Sequence, residues 1–236
     1  MKRAVATAAL ALALGGCHHA KKSHAHYNAR LDDGVLRVAV VGDSLAYGAG
    51  DESGQGIPGR LPEELRQHHR GSIDVQNLGL SGATTDDVHA RLAEQSIRDA
   101  VYIADVVVLS VGANDAFQAG DLRGQLITHR DEFAHEVLEK VARVVSEIRS
   151  LNPDAEILLL GGYNPFPEHA LAGGIRSYIR KWDSLLNDRF ANDPYVDVVK
   201  VSDIVNGADK LSPIDHFHPS GASYGAIAKR IAEMIQ

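Results

Sequence analysis

Leu36-Arg37-Val38-Ala39-Val40-Val41-Gly42-Asp43-Ser44-Leu45 runs from a β-branched apolar stretch straight into a glycine, a carboxylate and a hydroxyl. Such a run reads as a strand closed by its glycine, and Ser44 then stands where a helix begins. Four more apolar runs follow the same pattern, at residues 73–78, 104–111, 155–160 and 196–201, each bounded by Gly, Asn, Asp or Pro. Helical spacing falls between them, at 63–69, 85–94, 131–150 and 175–190, and residues 220–235 close the chain. In the third of these segments Phe133, Val137, Val141, Val144 and Ile148 recur at intervals of three and four, marking one buried face, and Asn152-Pro153 stops the helix. Strands alternating with helices predict an α/β fold with a five-stranded parallel sheet covered on both faces, because parallel strands need helical crossovers. No repeat of solenoid length is present.

The whole chain has 236 residues, 44% of them apolar and 23% charged, which excludes intrinsic disorder. All 31 acids lie beyond residue 30 with only 19 of the 24 basic residues, a formal charge of −12 that argues against nucleic acid as a partner. The start of the chain reads differently. Lys2 and Arg3 precede an apolar run at 4–14, broken only by Thr7, and Leu14-Gly15-Gly16-Cys17 resembles a bacterial lipobox. The expected organisation is a signal peptide at 1–17, a tether at 18–33 and one domain at 34–236. Cys17 is the only cysteine, so no disulfide forms within one molecule, and its expected fate is lipidation. His18, His19, His24 and His26 are irregularly spaced in the tether, and neither they nor the Asp215-His216-His218 group is assigned a metal.

In open α/β sheets ligands bind beyond the carboxyl ends of the strands. Gly42-Asp43-Ser44-Leu45 follows the first strand, Asn77-Leu78-Gly79-Leu80-Ser81-Gly82 the second, Gly112-Ala113-Asn114-Asp115 the third, and Asp215-His216-Phe217-His218 lies past the fifth. Together they supply what acyl transfer needs. A serine hydroxyl is a weak nucleophile until an imidazole takes its proton, and the imidazole needs a carboxylate to fix its tautomer. Ser44, His218 and Asp215 are cast in those roles, and the backbone N–H of Ser44, that of Gly82 and the Asn114 amide as oxyanion donors. Taken singly, Ser44 could be a helix N-cap, and Gly82 and Asn114-Asp115 ordinary turn residues.

These four segments, in this order, resemble the signature blocks of the SGNH (GDSL-type) serine hydrolases. Ser44, Gly82, Asn114 and His218 match the four family letters, and the matches spread over nearly the whole domain. Ala113 departs from the glycine many members carry there and leaves Asn114 unaffected. The resemblance implies a three-layer, flavodoxin-like α/β/α fold, no metal or other cofactor, and hydrolysis of esters or thioesters through an acyl-enzyme. Gly221-Ala222-Ser223-Tyr224-Gly225 formally matches another nucleophile motif, but it lies inside the last helical pattern, with no strand before it.

The expectation is therefore a monomeric, lipid-anchored serine esterase of the cell envelope. The expected membrane is the outer one, facing the periplasm, rather than the inner one, since His18 and His19 and not an acid directly follow Cys17. Its substrates would be small-molecule, lipid or polysaccharide esters. Carbohydrate O-acetyl esterase and lysophospholipase or thioesterase are the alternatives within the enzyme class, and a catalytically idle lipoprotein using the same cleft is the alternative outside it. The glycine-rich loop at 47–59, read as mobile, and the segment 163–167 are candidate walls of the entrance. The aromatic residues there, with Phe117 and Phe217, either offer apolar contact to an acyl chain or only pin their loops to the scaffold, the second being the favoured reading. The leader carries its own test. Replacing Cys17 by serine should release the protein from membranes or leave it unprocessed, as read by membrane fractionation and mass spectrometry, whereas a soluble mature protein with unmodified Cys17 would refute the anchor.

Overall fold

The computed structural model describes residues 33–118 and 130–235, so Cys17, the leader and nearly all of the tether lie outside the described residues. Strands β1 (Val35–Gly42), β2 (Ser72–Gly79), β3 (Val106–Ser110), β4 (Glu156–Leu160) and β5 (Val196–Val199) form one sheet in the order β2-β1-β3-β4-β5. Every neighbouring pair is parallel. This is the doubly wound, flavodoxin-like order, in which the chain runs from β1 to one edge and then returns past β1 to build the other half.

Two helical layers cover the sheet. Successive strand residues face opposite ways, so β1 sends Leu36, Val38 and Val40 to one layer, and Ala39 and Val41 to the other. The first layer holds α1 (Ser44–Tyr47), α2 (Gly56–Leu65) and α8 (Gly221–Met234). The second holds α3 (Thr85–Arg91), α4 (Gln95–Ile103), α6 (Arg130–Leu151) and α7 (Ala172–Phe190). A short helix, α5 (Ala113–Gln118), follows β3. The five residues expected to form the inner stripe of α6 are all buried.

The helix expected at 63–69 starts seven residues earlier, at Gly56, and ends at Leu65, and two glycines and two prolines within it hide its pattern. Ile57, Leu61 and Leu65, spaced by four, pack on the sheet alongside α8, and this packing overrides the poor local propensity. The segment expected as one helix at 85–94 ends at Arg91, and α4 follows without having been anticipated. Ile97, Ala100 and Val101 form its buried stripe. Among the described residues no helix is long and apolar enough to cross a membrane.

Asn152, expected only as a helix stop, ties α4 to β4. Its Nδ2 donates to the carbonyls of Val101 at 2.8 Å and Ala104 at 2.8 Å, and its Oδ1 accepts from the N–H of Ala155 at 3.1 Å. Loss of a buried group that satisfies several backbone atoms costs about 1–3 kcal/mol. Asn152→Ala should therefore lower stability by about 2 kcal/mol in urea denaturation, and an unchanged midpoint would show that water satisfies these groups equally well.

Candidate active site

β1 and β3 run side by side as far as the Gly42–Ser110 pair and then part. Gly42 sits at φ 138°, and a Cβ there would fall 1.9 Å from the Ser110 carbonyl oxygen, so no side chain fits. Asp43 exploits that contact. Its N–H donates to the Ser110 carbonyl at 2.9 Å, and its Oδ1 accepts from the Ser110 hydroxyl at 2.7 Å and the Leu45 N–H at 3.0 Å. Burial pushes the Asp43 carboxyl up, against the hydrogen bonds from Ser110, Leu45 and Ala46. Asp43, not Ser44, is thus the N-cap of α1. Ser44 takes the first helical position, where the N–H has no partner within the helix and the hydroxyl is not used as a cap.

Residues 212–218 form a tight loop. The Ser212 N–H donates to the His218 carbonyl at 2.7 Å, the His216 N–H to the Ser212 carbonyl at 2.9 Å, and His216 itself lies in the left-handed region at φ 54°. Inside the loop, Oδ1 of Asp215 accepts from the N–H groups of Phe217 at 2.9 Å and His218 at 3.0 Å, while Oδ2 meets His218 Nδ1 at 2.8 Å. Burial alone would raise the Asp215 carboxyl, but the His218 ring and the two N–H groups outweigh it and hold the carboxyl below its ordinary 3.8. With its proton on Nδ1, the imidazole keeps Nε2 free to accept another. Tyr163 and Gly50 brace this loop. The Tyr163 hydroxyl donates to the Phe217 carbonyl at 3.2 Å, and burial pushes its ionisation upward, which keeps it a donor. A Cβ on Gly50 would fall 2.6 Å from that of His218.

Gly82 occupies the third position of a turn closed by the Ala83 N–H on the Leu80 carbonyl at 3.1 Å, and its φ of 82° suits the type II form. The Leu80 N–H donates to the Gly42 carbonyl at 2.8 Å, anchoring the turn two residues before Ser44. Across from it, Asn114 Nδ2 donates to the Ala83 carbonyl at 2.9 Å, which leaves its second N–H available. Three segments far apart in sequence, around Ser44, Gly82 and Asn114, are therefore joined directly. The His218 loop meets them across a cleft lined by Ser44, Asn114 and Phe217, and His218 is near enough to Asp43 for its charge to favour the carboxylate there.

The cleft, about 120 Å³, is mostly apolar. Phe117, Phe166 and Phe217 pack edge to face with ring centroids 5.4 to 6.4 Å apart, and Phe217 also abuts the His218 ring at 5.0 Å. Tyr163, Pro165 and Phe166 line it, as expected, but the loop at 47–59 does not. That loop is tied down instead. Asp51 binds Arg60 at 3.0 Å and the Gly56 N–H at 2.7 Å, Ala49 accepts from the Tyr224 hydroxyl at 2.8 Å, and Glu52 accepts from the Gly221 N–H at 2.7 Å. Its acids and glycines serve these contacts rather than a moving wall. The remaining wall comes from α7, through Ile175, Tyr178, Ile179 and Trp182. Their helical spacing is legible in sequence, but nothing local says that this face meets a cleft. Ser223 is buried within α8, donating to the Lys210 carbonyl at 2.7 Å, and plays no part in the site.

Residues 40–226 match the model of the GDSL-like lipase/acylhydrolase family. The uncharacterized protein YpmR of Bacillus subtilis is 30% identical over 84% of this chain and 81% of its own length. The spore germination lipase LipC of Bacillus licheniformis is 26% identical over 84% of the chain and 95% of its own. Among solved structures, the lipase Lip_vut3 from a goat rumen metagenome superposes with a TM-score of 0.72 at 24% identity, covering 84% of this chain and 96% of that one.

The depressed Asp215 carboxyl has a definite sign. Its contribution to stability is present above 3.8 and is lost as pH falls through the lower folded value. In His218→Ala, where the ring hydrogen bond goes, Asp215 should titrate higher than in the parent protein by carboxyl NMR, and an unmoved titration would show that the backbone N–H groups alone hold it down.

Proposed function

The chain belongs to the GDSL-like lipase/acylhydrolase family, whose members are ester hydrolases, and from that premise we propose that it is a serine esterase for substrates with an apolar acyl chain. The observation that carries the reading is the cleft itself, which begins at Ser44 and is walled by the three phenylalanines and by α7. In the proposed reaction His218 Nε2 takes the proton of the Ser44 hydroxyl as its oxygen bonds to the acyl carbon. Asp215 holds the imidazole and stabilises its protonated form. The carbonyl oxygen becomes an oxyanion, received by the N–H of Ser44, the N–H of Gly82 and the Asn114 amide, each worth about 3–4 kcal/mol of barrier. Collapse breaks the ester bond, His218 returns the proton to the departing alkoxide, and a water activated by the same imidazole then releases the acid from the acyl-enzyme.

The apolar side chains around the nucleophile favour a hydrocarbon acyl group over acetyl. The lipobox-like segment ending at Cys17 supports a lipid-anchored protein of the cell envelope, so its ester would be met at or near a membrane. The alternative of an idle binding protein has less support, because ligand binding alone gives no reason for a paired Asp215–His218 in the loop facing a Ser44 whose hydroxyl caps nothing.

A series of p-nitrophenyl esters from acetyl to palmitoyl tests this. kcat/KM should rise beyond acetyl before falling, a fluorophosphonate should label Ser44, and Ser44→Ala should lose at least about 10³-fold in kcat. A maximum at acetyl would instead assign an O-acetyl esterase, and activity surviving in Ser44→Ala would sink the serine mechanism.

A further inference from the structure

Asp115 follows Asn114, yet no step of the proposed reaction uses its carboxylate. The side chain is only 4% exposed. Its Oδ2 accepts from both the N–H of Thr85 at 3.0 Å and the Thr85 hydroxyl at 2.7 Å, and its Oδ1 lies 3.6 Å from Lys140 Nζ. Lys140 is shared with Asp86 at 3.1 Å. Asp115 does not border the cleft, whereas its neighbours Asn114 and Ala116 do. It therefore touches the start of α3 and not the substrate.

Adjacent residues of α5 thus grip the chain on either side of Thr84, the N-cap of α3, Asn114 holding Ala83 and Asp115 holding Thr85. The Leu80–Gly42 bond anchors the turn bearing Gly82 at its start, and this grip holds the segment that follows it. A Cβ built on Gly82 would meet nothing within 4 Å, and the capping box between Thr84 and Asp87 is purely local. The Asp115–Thr85 bonds, by contrast, span 30 residues of sequence and are buried. A carboxylate suits the place, because the first turn of a helix offers unpaired N–H groups and Lys140 balances the charge.

We propose that Asp115 is a positioning residue for the oxyanion site, setting the separation between the Gly82 N–H and the Asn114 amide through its bonds to Thr85. This rests on the oxyanion roles given to Gly82 and Asn114 above. Such donors act only over a narrow range of distance, and a displacement of about 1 Å costs about 10²-fold in rate.

The test uses the full mature protein and p-nitrophenyl butyrate. Asp115→Ala should lower kcat by about 10- to 100-fold with KM within about twofold of the parent value. Asp115→Asn, which keeps an oxygen for Thr85, should recover most of that loss. Thr85→Val should lose kcat in the same manner, and Thr85→Ser should restore it, so that pair decides the matter if Asp115→Ala does not fold. In an Asn114→Ala background, Asp115→Ala should cost no more than about threefold further, since residues acting as one unit are not additive. Without any substrate, the Gly82 amide and Asn114 side-chain NMR signals should move in Asp115→Ala and return in Asp115→Asn. Unmoved signals, a loss confined to KM, or single losses that multiply in the double variant would overturn the proposal. Failure of the esterase reading would look different: the parent protein would be inactive or Ser44→Ala active, while the NMR comparison would still decide whether Asp115 sets this geometry.

Discussion

The close approach of β1 and β3 at their carboxyl ends is the contact on which the rest of the site depends. It requires a residue without a side chain at Gly42, and it buries the Asp43 carboxyl against the Ser110 hydroxyl. Burying a carboxyl is unfavourable unless hydrogen bonds compensate, and here they come from the first turn of α1 and from β3 itself. One residue thus closes the strand pair and starts the helix that carries Ser44. The strands cannot drift apart without stranding that group.

From this point outward the loops are held by side chains rather than by the sheet. Asn114 bonds to Ala83, Asp115 to Thr85, and Tyr163 to the carbonyl beside His218. Each is a polar bond at the carboxyl edge, where strand pairing has ended and backbone groups need other partners. The rim is accordingly a polar framework. Beneath it the cleft is apolar, because α5, α7 and the phenylalanine cluster present hydrocarbon to the same space. In the proposed reaction orientation and binding are thereby separated: the framework would aim the reacting groups, while the cleft would take up apolar surface.

Legibility in the sequence followed the range of the interactions. Strands β1, β3 and β4 were visible because strands buried on both faces read as apolar runs. The edge strands β2 and β5 were visible because Ile73 and Val75, and Val196 and Val198, alternate with polar residues, and α6 because its stripe repeats over about four turns. α2 was misplaced because Gly56, Pro58, Gly59 and Pro62 look like loop residues, although Ile57, Leu61 and Leu65 pack as a helix. The loop at 47–59 looked free for a related reason. Its glycines permit close contacts, and only the positions of Arg60, Tyr224 and Gly221 reveal that Asp51, Glu52 and Ala49 are already engaged.

The sequence by itself determined the parallel α/β fold, the four strand-end segments and the pairing of Asp215 with His218, because a three-residue spacing allows that contact within one loop. Tertiary structure alone decided that Asp43 locks onto Ser110, that Asp115 grips Thr85, and that one face of α7 walls the cleft. Those contacts join residues tens of positions apart, so no local pattern encodes them. They exist only once the strand order has brought β1, β3 and β4 side by side.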